Sequence, residues 1–360
     1  MKLLFNKSLF LVLEVSFLLV SGCSQIPDQS KGPVREITDM LGRRVEIPEK
    51  IDSVIGVGPG ALRLLVYMDL ADRVSGIEDV ELRPGRPYMF AHPELKEKPL
   101  IGPQMGGDSE LIAMNDPDVV FMAFSSASDA DELQKGSGVP VVALNTGNLR
   151  NARDTLFRAF RLIGDITGRR ERAGSLEAFI NEEIGQLDSI TSGVRQQPRA
   201  YIGAVSYRGS HGISSTEAFY SPFQFVNAKN VAHGLKNEEP VNPTGTYVDV
   251  EQIIKWDPDY LFIDAAGLDQ TNPDLGSGSP LALTLSAFRA ENIYTMMPHN
   301  WYATNFENVL ANAWFAGKVM YPGLFSGHDV EQKARELYRF MLGNDVYDQM
   351  QATYDGWNQL

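Results

Sequence analysis

One cysteine in 360 residues, Cys23, leaves no room for an intrachain disulfide or for a thiolate cage around a metal. Histidine is almost as sparse. The residues at 92, 211, 233, 299 and 328 form no H-x-H or H-x-x-x-H pair and no His-rich loop, so no bare metal site is expected. Positive charge is short too: 32 Lys and Arg against 46 Asp and Glu give a net charge of −14, which argues against nucleic acid as a partner. Beyond the first two dozen residues, no apolar run is long enough to cross a bilayer. What is present is an acidic chain with 43% apolar residues, able to carry its stability by core burial alone and, at this length, most naturally as two lobes.

The start of the chain reads as a targeting segment. Lys2 and Lys7 precede an apolar stretch from Leu9 to Val20, broken by Glu14, and small residues lead into Cys23. An apolar core too short to span, followed by small residues, describes a secretory signal over residues 1–22. With Cys23 directly after Gly22, the segment resembles the bacterial lipobox, whose thiol takes a lipid before cleavage. The Pro-, Ser- and Gln-containing stretch that follows reads as a lipidated tether over 23–34.

From Arg35 to Pro48 short β-patterned runs flank Leu41-Gly42, a hairpin signal. Strands and helices then alternate: SVIGVG at 53–58, a helix from Gly60 to Leu70, VVFMAF after Asp116-Pro117-Asp118, and PVVALN. Residues 151–191 read as helix broken at Thr167-Gly168, with Leu176, Phe179, Ile180, Ile184 and Leu187 at spacings of three and four in the second helix. Alternation resumes with RAYIGAV, YLFIDA and NIYTMM. The expected fold class is α/β: two Rossmann-like lobes with mostly parallel sheets, 35–168 and 198–360, joined by a single long helix at 169–192.

An internal repeat accompanies the two lobes. ELIAMNDPDVV at 110–120 matches EQIIKWDPDYL at 251–261, each with a Glu seven residues before a Pro and an Asp-Pro-Asp running into a strand. The proline accounts for the turn but not for the matched glutamates.

At this level the chain resembles the class III periplasmic binding proteins of iron-chelate and cobalamin-type ABC importers. The resemblance rests on Ile37-Thr38-Asp39 through Gly42-Arg43, Gly58-Pro59-Gly60, the two Asp-Pro-Asp units and the long helix. Stretches His211 to Glu217 and Asn300 to Asn305 are similar to an iron-compound-binding lipoprotein subgroup. The resemblance implies an exported, membrane-anchored, monomeric binding protein without cofactor. It implies delivery of a ferric chelate or related metal–organic complex to an ABC permease with a cytoplasmic ATPase. It also implies that Glu110 and Glu251 dock on that permease. An oxyanion (molybdate or tungstate) or a cobamide is the alternative ligand, and a sensory ligand-binding protein the alternative class.

Ligands of open α/β sheets bind beyond the carboxyl ends of the strands. In two lobes this nominates Gly58 to Arg63, Glu78 to Tyr88, Ser125 to Ser128, Ser206 to Tyr220, Asp264 to Asp269 and His299 to Asn305. Within these loops Arg83, Arg86, Tyr88, Tyr207, Arg208, His211, Tyr220, Trp301, Tyr302 and Asn305 supply cations, phenols and aromatic faces suited to an anionic organic chelate. One rival is enzymatic. Gly56-Val57-Gly58-Pro59-Gly60-Ala61, with Glu78 some way on, fits a dinucleotide fingerprint. Export and Pro59, which lacks an amide for a phosphate, weigh against it, and no G-x-S-x-G elbow accompanies His211, Ser214 and Ser215. No catalytic residue is expected.

Overall fold

The computed structural model describes residues 32–235 and 246–360. The signal segment 1–22, Cys23 and the tether as far as residue 31 lie outside the described residues. The first element is the expected hairpin, β1 (Val34–Thr38) antiparallel to β2 (Arg44–Pro48), turning through Gly42 at φ 82°. Asp39 explains the motif before the turn. Its Oδ1 accepts from the amides of Leu41 and Arg43, and its Oδ2 accepts from Ala143, fastening the hairpin to the first lobe.

The first lobe is built on four parallel strands, β3 (Val54–Val57), β4 (Val74–Gly76), β5 (Val119–Ala123) and β6 (Val141–Leu144), in the order β4-β3-β5-β6. Its helices are α1 (Ala61–Tyr67), α2 (Pro87–Ala91), α3 (Ser109–Asn115) and α4 (Ala127–Ser137). Every residue of β3, β5 and β6 is buried, as continuous apolar runs in a sheet covered on both faces must be.

Two long helices follow, α5 (Arg153–Thr167) and α6 (Arg170–Thr191), separated by Gly168 at φ 77°. The second lobe repeats the first with β7 (Arg199–Gly203), β8 (Ser215–Thr216), β9 (Lys229–Asn230), β10 (Thr246–Tyr247), β11 (Tyr260–Asp264) and β12 (Ile293–Met296). Its parallel sheet runs β12-β11-β7-β9, and β8 pairs with β10 in a small antiparallel ribbon. Within each lobe's parallel sheet the strand order is the same: second, first, third, fourth.

The helices of this half are α7 (Ser221–Phe225), α8 (Val250–Trp256), α9 (Leu268–Leu275), α10 (Pro280–Thr284), α11 (Ser286–Arg289), α12 (Phe306–Met320), α13 (Val330–Leu342) and α14 (Tyr347–Tyr354).

The sequence repeat is a structural repeat with a physical cause. Asp116 and Asp257 end α3 and α8 in the left-handed region, at φ 43° and 41°. Two residues on, Asp118 accepts from the amides of Asp52 and Ser53 at the start of β3, and Asp259 accepts from Arg199 at the start of β7. Each Asp-Pro-Asp unit thus ends a helix and caps the neighbouring strand.

The long helix α6 is not a bare strut. Its Glu183 is buried, accepting from Trp314 Nε1 of α12 (2.7 Å) and Lys333 Nζ of α13 (3.1 Å). Its Arg172 donates to the carbonyls of Tyr67 in α1 and Phe340 in α13. One apolar core runs unbroken from Val54, Phe121 and Leu144, through Leu176 and Ile180 of α6, to Ile202, Phe262 and Trp314. Helix α13, inside the 198–360 stretch expected as the second lobe, packs on α1 and α2 of the first. The C-terminal helices therefore clamp both lobes.

Candidate functional site

Residues following the strand ends of both lobes line one cavity of about 660 Å³. The first lobe contributes Pro59, Gly60, Arg63, Leu64, Val80, Arg83, Arg86, Gln104, Met105, Phe124 and Thr146 to Arg150; the second contributes Val205, Tyr207 to Gly209, Ser215 to Pro222 and His299 to Thr304. The nominated segments Ser125–Ser128 and Asp264–Asp269 do not line it.

Arg63 joins the two walls. It is 2% exposed, on α1 of the first lobe, and its guanidinium reaches the 301–305 loop of the second. Nε donates to Asn305 Oδ1 (2.9 Å), one terminal nitrogen to the carbonyl of Thr304 (2.6 Å), and the other to the carbonyls of Trp301, Tyr302 and Ala303. Beside it, Tyr67 donates to the fully buried Glu307 of α12, a second polar link between the lobes.

Tyr302 closes the mouth of the same joint. Its hydroxyl donates to Glu78 Oε2 (2.9 Å) and accepts from the Met105 amide (2.8 Å), both in the first lobe. Glu78 also accepts from the Gly58 amide at 3.0 Å. The glycine-rich turn after β3 therefore has a carboxylate where a dinucleotide phosphate would need a free donor. Gly58 sits there at φ 86° because a side chain would run into the Ala123 carbonyl of β5. A further cross-lobe contact places the Arg150 guanidinium 4.4 Å over the Phe219 ring.

The expected site residues divide. Arg83, Arg86, Tyr207, Arg208, Tyr220, Trp301 and Tyr302 line the cavity. Tyr88, His211 and Asn305 do not, and for these three the expected placement is corrected. Tyr88 is fully buried and donates to Glu81 Oε2. His211 Nε2 is 2.7 Å from the Tyr207 carbonyl and 3.1 Å from the Tyr247 hydroxyl. Asn305 is fully buried as the acceptor for Arg63. Arg86, 1% exposed, sits 3.1 Å from the buried Glu81 carboxylate, so only part of its charge is free for a ligand. Glu110 and Glu251 both occupy the first turn of their helices, exposed and without an ion-pair partner among the described residues.

Sequence reasoning missed Arg63, Phe124, the 146–150 loop, Glu217 and His299 as individual lining residues. The 146–150 loop follows β6, so the rule that sites form beyond strand ends would have found it. Arg63, Glu217 and His299 lie inside nominated segments without being singled out there, and Phe124 sits one residue before another. On the cavity wall His299 Nε2 lies 3.1 Å from Glu217 Oε2. Burial pulls the His299 imidazole down, but the bond and charge of Glu217, with the charge of Asp264, raise it overall. Burial pushes the Asp264 carboxyl up to about 6. No group of three or more His, Cys, Asp or Glu able to hold a metal occurs among the described residues.

A family model described as "Periplasmic binding protein" matches residues 57–298. Among curated proteins, the molybdate-binding protein MolA of Haemophilus influenzae is 22% identical over 330 residues, covering 85% of this chain and 90% of MolA. The MolA structure bound to molybdate superposes with a TM-score of 0.68 at 20% identity, covering 86% of this chain and 98% of MolA. A periplasmic solute binding protein from Veillonella parvula gives 0.69 at 19% identity, with 89% and 97% covered. Helicobacter pylori CeuE with Ni(II) bound gives 0.62 at 15% identity, with 88% and 98% covered.

The Glu78 carboxyl generates a pH prediction. Burial, opposed by the bonds from Tyr302 and Gly58, pushes it from 4.5 up to about 7. The native state then holds this proton more tightly than the unfolded chain. The contribution favours folding below about pH 4.5 and is lost as pH rises through 7. Glu78→Gln should therefore gain on the order of 1–3 kcal/mol relative to wild type at pH 8 but not at pH 4. Urea unfolding of both proteins across this range is the check, and parallel pH profiles would refute the assignment.

Proposed function

The chain belongs to the periplasmic binding protein family, and from that premise we propose that it serves an ABC importer, capturing a ferric chelate or related anionic metal–organic complex between its lobes. As a member of this family it is a solute-binding protein that works outside the cytoplasm, not an enzyme. The observation that carries the ligand reading is the charge of the cavity wall. Five arginines, at 63, 83, 86, 150 and 208, line it against one carboxylate, Glu217. Arg63 and Arg86 are engaged by the protein, but Arg83, Arg150 and Arg208 have no carboxylate partner among the described residues. In a chain of net charge −14 such a cluster favours an anion locally against the overall field.

Size favours an organic complex over a bare oxyanion. A cavity of about 660 Å³ lies in the range used for ligands of drug size, and Trp301, Tyr207 and Phe219 supply apolar faces that a small oxyanion does not need. The molybdate-binding relative keeps the oxyanion as the second reading. Glu110 and Glu251, one per lobe at matched positions, would dock on cationic residues of the permease. Cys23 would carry the lipid that holds the protein at the membrane, and the protein would act as a monomer. A sensor that closes on its ligand and docks a receptor shares this fold, and only the docking partner separates it from an importer.

Calorimetric titration with ferric chelates, cobamides and molybdate or tungstate tests the ligand. Trp301→Ala should weaken a chelate by about 1–3 kcal/mol and leave an oxyanion almost unaffected. Binding of neither class would end the proposal. For docking, the Glu110→Ala/Glu251→Ala double variant should melt and bind ligand as wild type yet support less uptake into vesicles carrying the importer. Exposed ion pairs of this kind act more on orientation and encounter than on affinity. Normal uptake by the double variant counts against the importer assignment. For the anchor, Cys23→Ser should move the protein from the detergent phase to the aqueous phase on partitioning; retention in the detergent phase rules out the lipid.

A further inference from the structure

Phe124 combines three features that neither the fold nor the cross-lobe contacts use. It follows the last residue of β5, beside the turn after β3, where the strand order of the first sheet reverses. Its backbone is left-handed, at φ 55°, a conformation that is costly for a bulky side chain and natural for glycine. Its side chain nevertheless recovers little by packing: the residue is 48% exposed and its ring stacks on no other ring among the described residues. Across the same switch point Gly58 adopts a similar φ of 86° with the residue that geometry favours. A phenylalanine in place of a glycine at Phe124 therefore costs the fold without visibly repaying it.

The ring lines the cavity, in company with Trp301 from the opposite lobe, which also stacks on no ring among the described residues. An aromatic residue on each side of a cavity that also presents Arg83, Arg150 and Arg208 can accept a flat π-system whose charge is met by the guanidinium groups. We propose that Phe124 is a specificity-determining residue whose ring selects anionic complexes bearing aromatic rings, such as ferric catecholates, over aliphatic complexes of the same kind of charge. The proposal rests on the reading of the cleft as a binding site for an anionic metal chelate. Strain held at a binding surface, with the side chain kept out of the core, is how a fold displays a ring to a ligand instead of to itself.

The test compares the wild type with Phe124→Gly and Phe124→Leu. Each is titrated with the ferric tris-catecholate ion and with ferric citrate, and each is unfolded by heat without ligand. Phe124→Gly should unfold no earlier than the wild type, bind ferric tris-catecholate 10- to 100-fold more weakly, and bind ferric citrate within about twofold of wild type. Phe124→Leu, which keeps apolar bulk but loses the flat face, should lose most of the same affinity. Unchanged catecholate binding in Phe124→Gly overturns the proposal, as does an equal loss for both probes, which would make Phe124 a general wall. A marked drop in melting temperature for Phe124→Gly also overturns it, since the ring would then be a packing element. A wild type that binds ferric citrate and not the catecholate overturns the aromatic selection while leaving the chelate reading intact. Binding of molybdate alone removes both.

Discussion

The guanidinium of Arg63 is the contact on which the cleft depends. A charge removed from water is tolerated only when its donors are satisfied, and here five bonds to one loop do so. Turning four successive carbonyls, those of Trp301 to Thr304, toward one cation requires an unusual backbone, and Tyr302 and Ala303 are accordingly left-handed, at φ 45° and 72°. That loop conformation in turn places Trp301 at the cavity and carries the Tyr302 hydroxyl to Glu78 and Met105. Loss of the arginine would leave partly buried carbonyls unpaired and a loop in an unfavourable conformation less firmly held, so its cost would be felt at the cavity wall as much as in the core.

The same joint bears on motion. Arg63, the Tyr67–Glu307 bond and the unbroken apolar core through α6 all cross from one lobe to the other. Close-packed interiors do not deform continuously, so these contacts oppose large rotations of one lobe against the other. Tyr302 to Glu78 and Arg150 over Phe219 also cross between the lobes, through single side-chain contacts. The cavity wall is thereby divided between residues tied into the frame and residues left accessible.

Charge is distributed to suit that division. The protein as a whole is acidic, yet its cavity wall carries five arginines and one carboxylate. Two of the arginines are committed to the frame, one to the 301–305 loop and one to Glu81. Arg83 and Arg208 are exposed, and Arg150 is half-buried. Rigid cations thus shape the site and the more accessible ones remain for a ligand, where partial exclusion of water strengthens their effect.

The elements of this fold are local in origin, and the sequence alone determined them. Apolar runs between turn residues are sufficient for β3, β5, β7 and β11, the spacing of Leu176, Ile180, Ile184 and Leu187 for α6, and Asp-Pro-Asp for the two helix ends. The two-lobed plan follows from their repetition. Which side chains meet in the cleft was decided only by tertiary structure, because it depends on partners far apart in the chain. Arg63 lies more than 200 residues from its acceptors. The Gly58 turn resembles a phosphate cradle until Glu78 folds back onto its amide. Tyr88 and Asn305, polar residues in nominated loops, became part of the frame because buried carboxylate and guanidinium groups needed them. Local patterning places a loop at a strand end, but whether its side chains face a ligand or satisfy a buried charge is settled by long-range pairing that spacing does not encode.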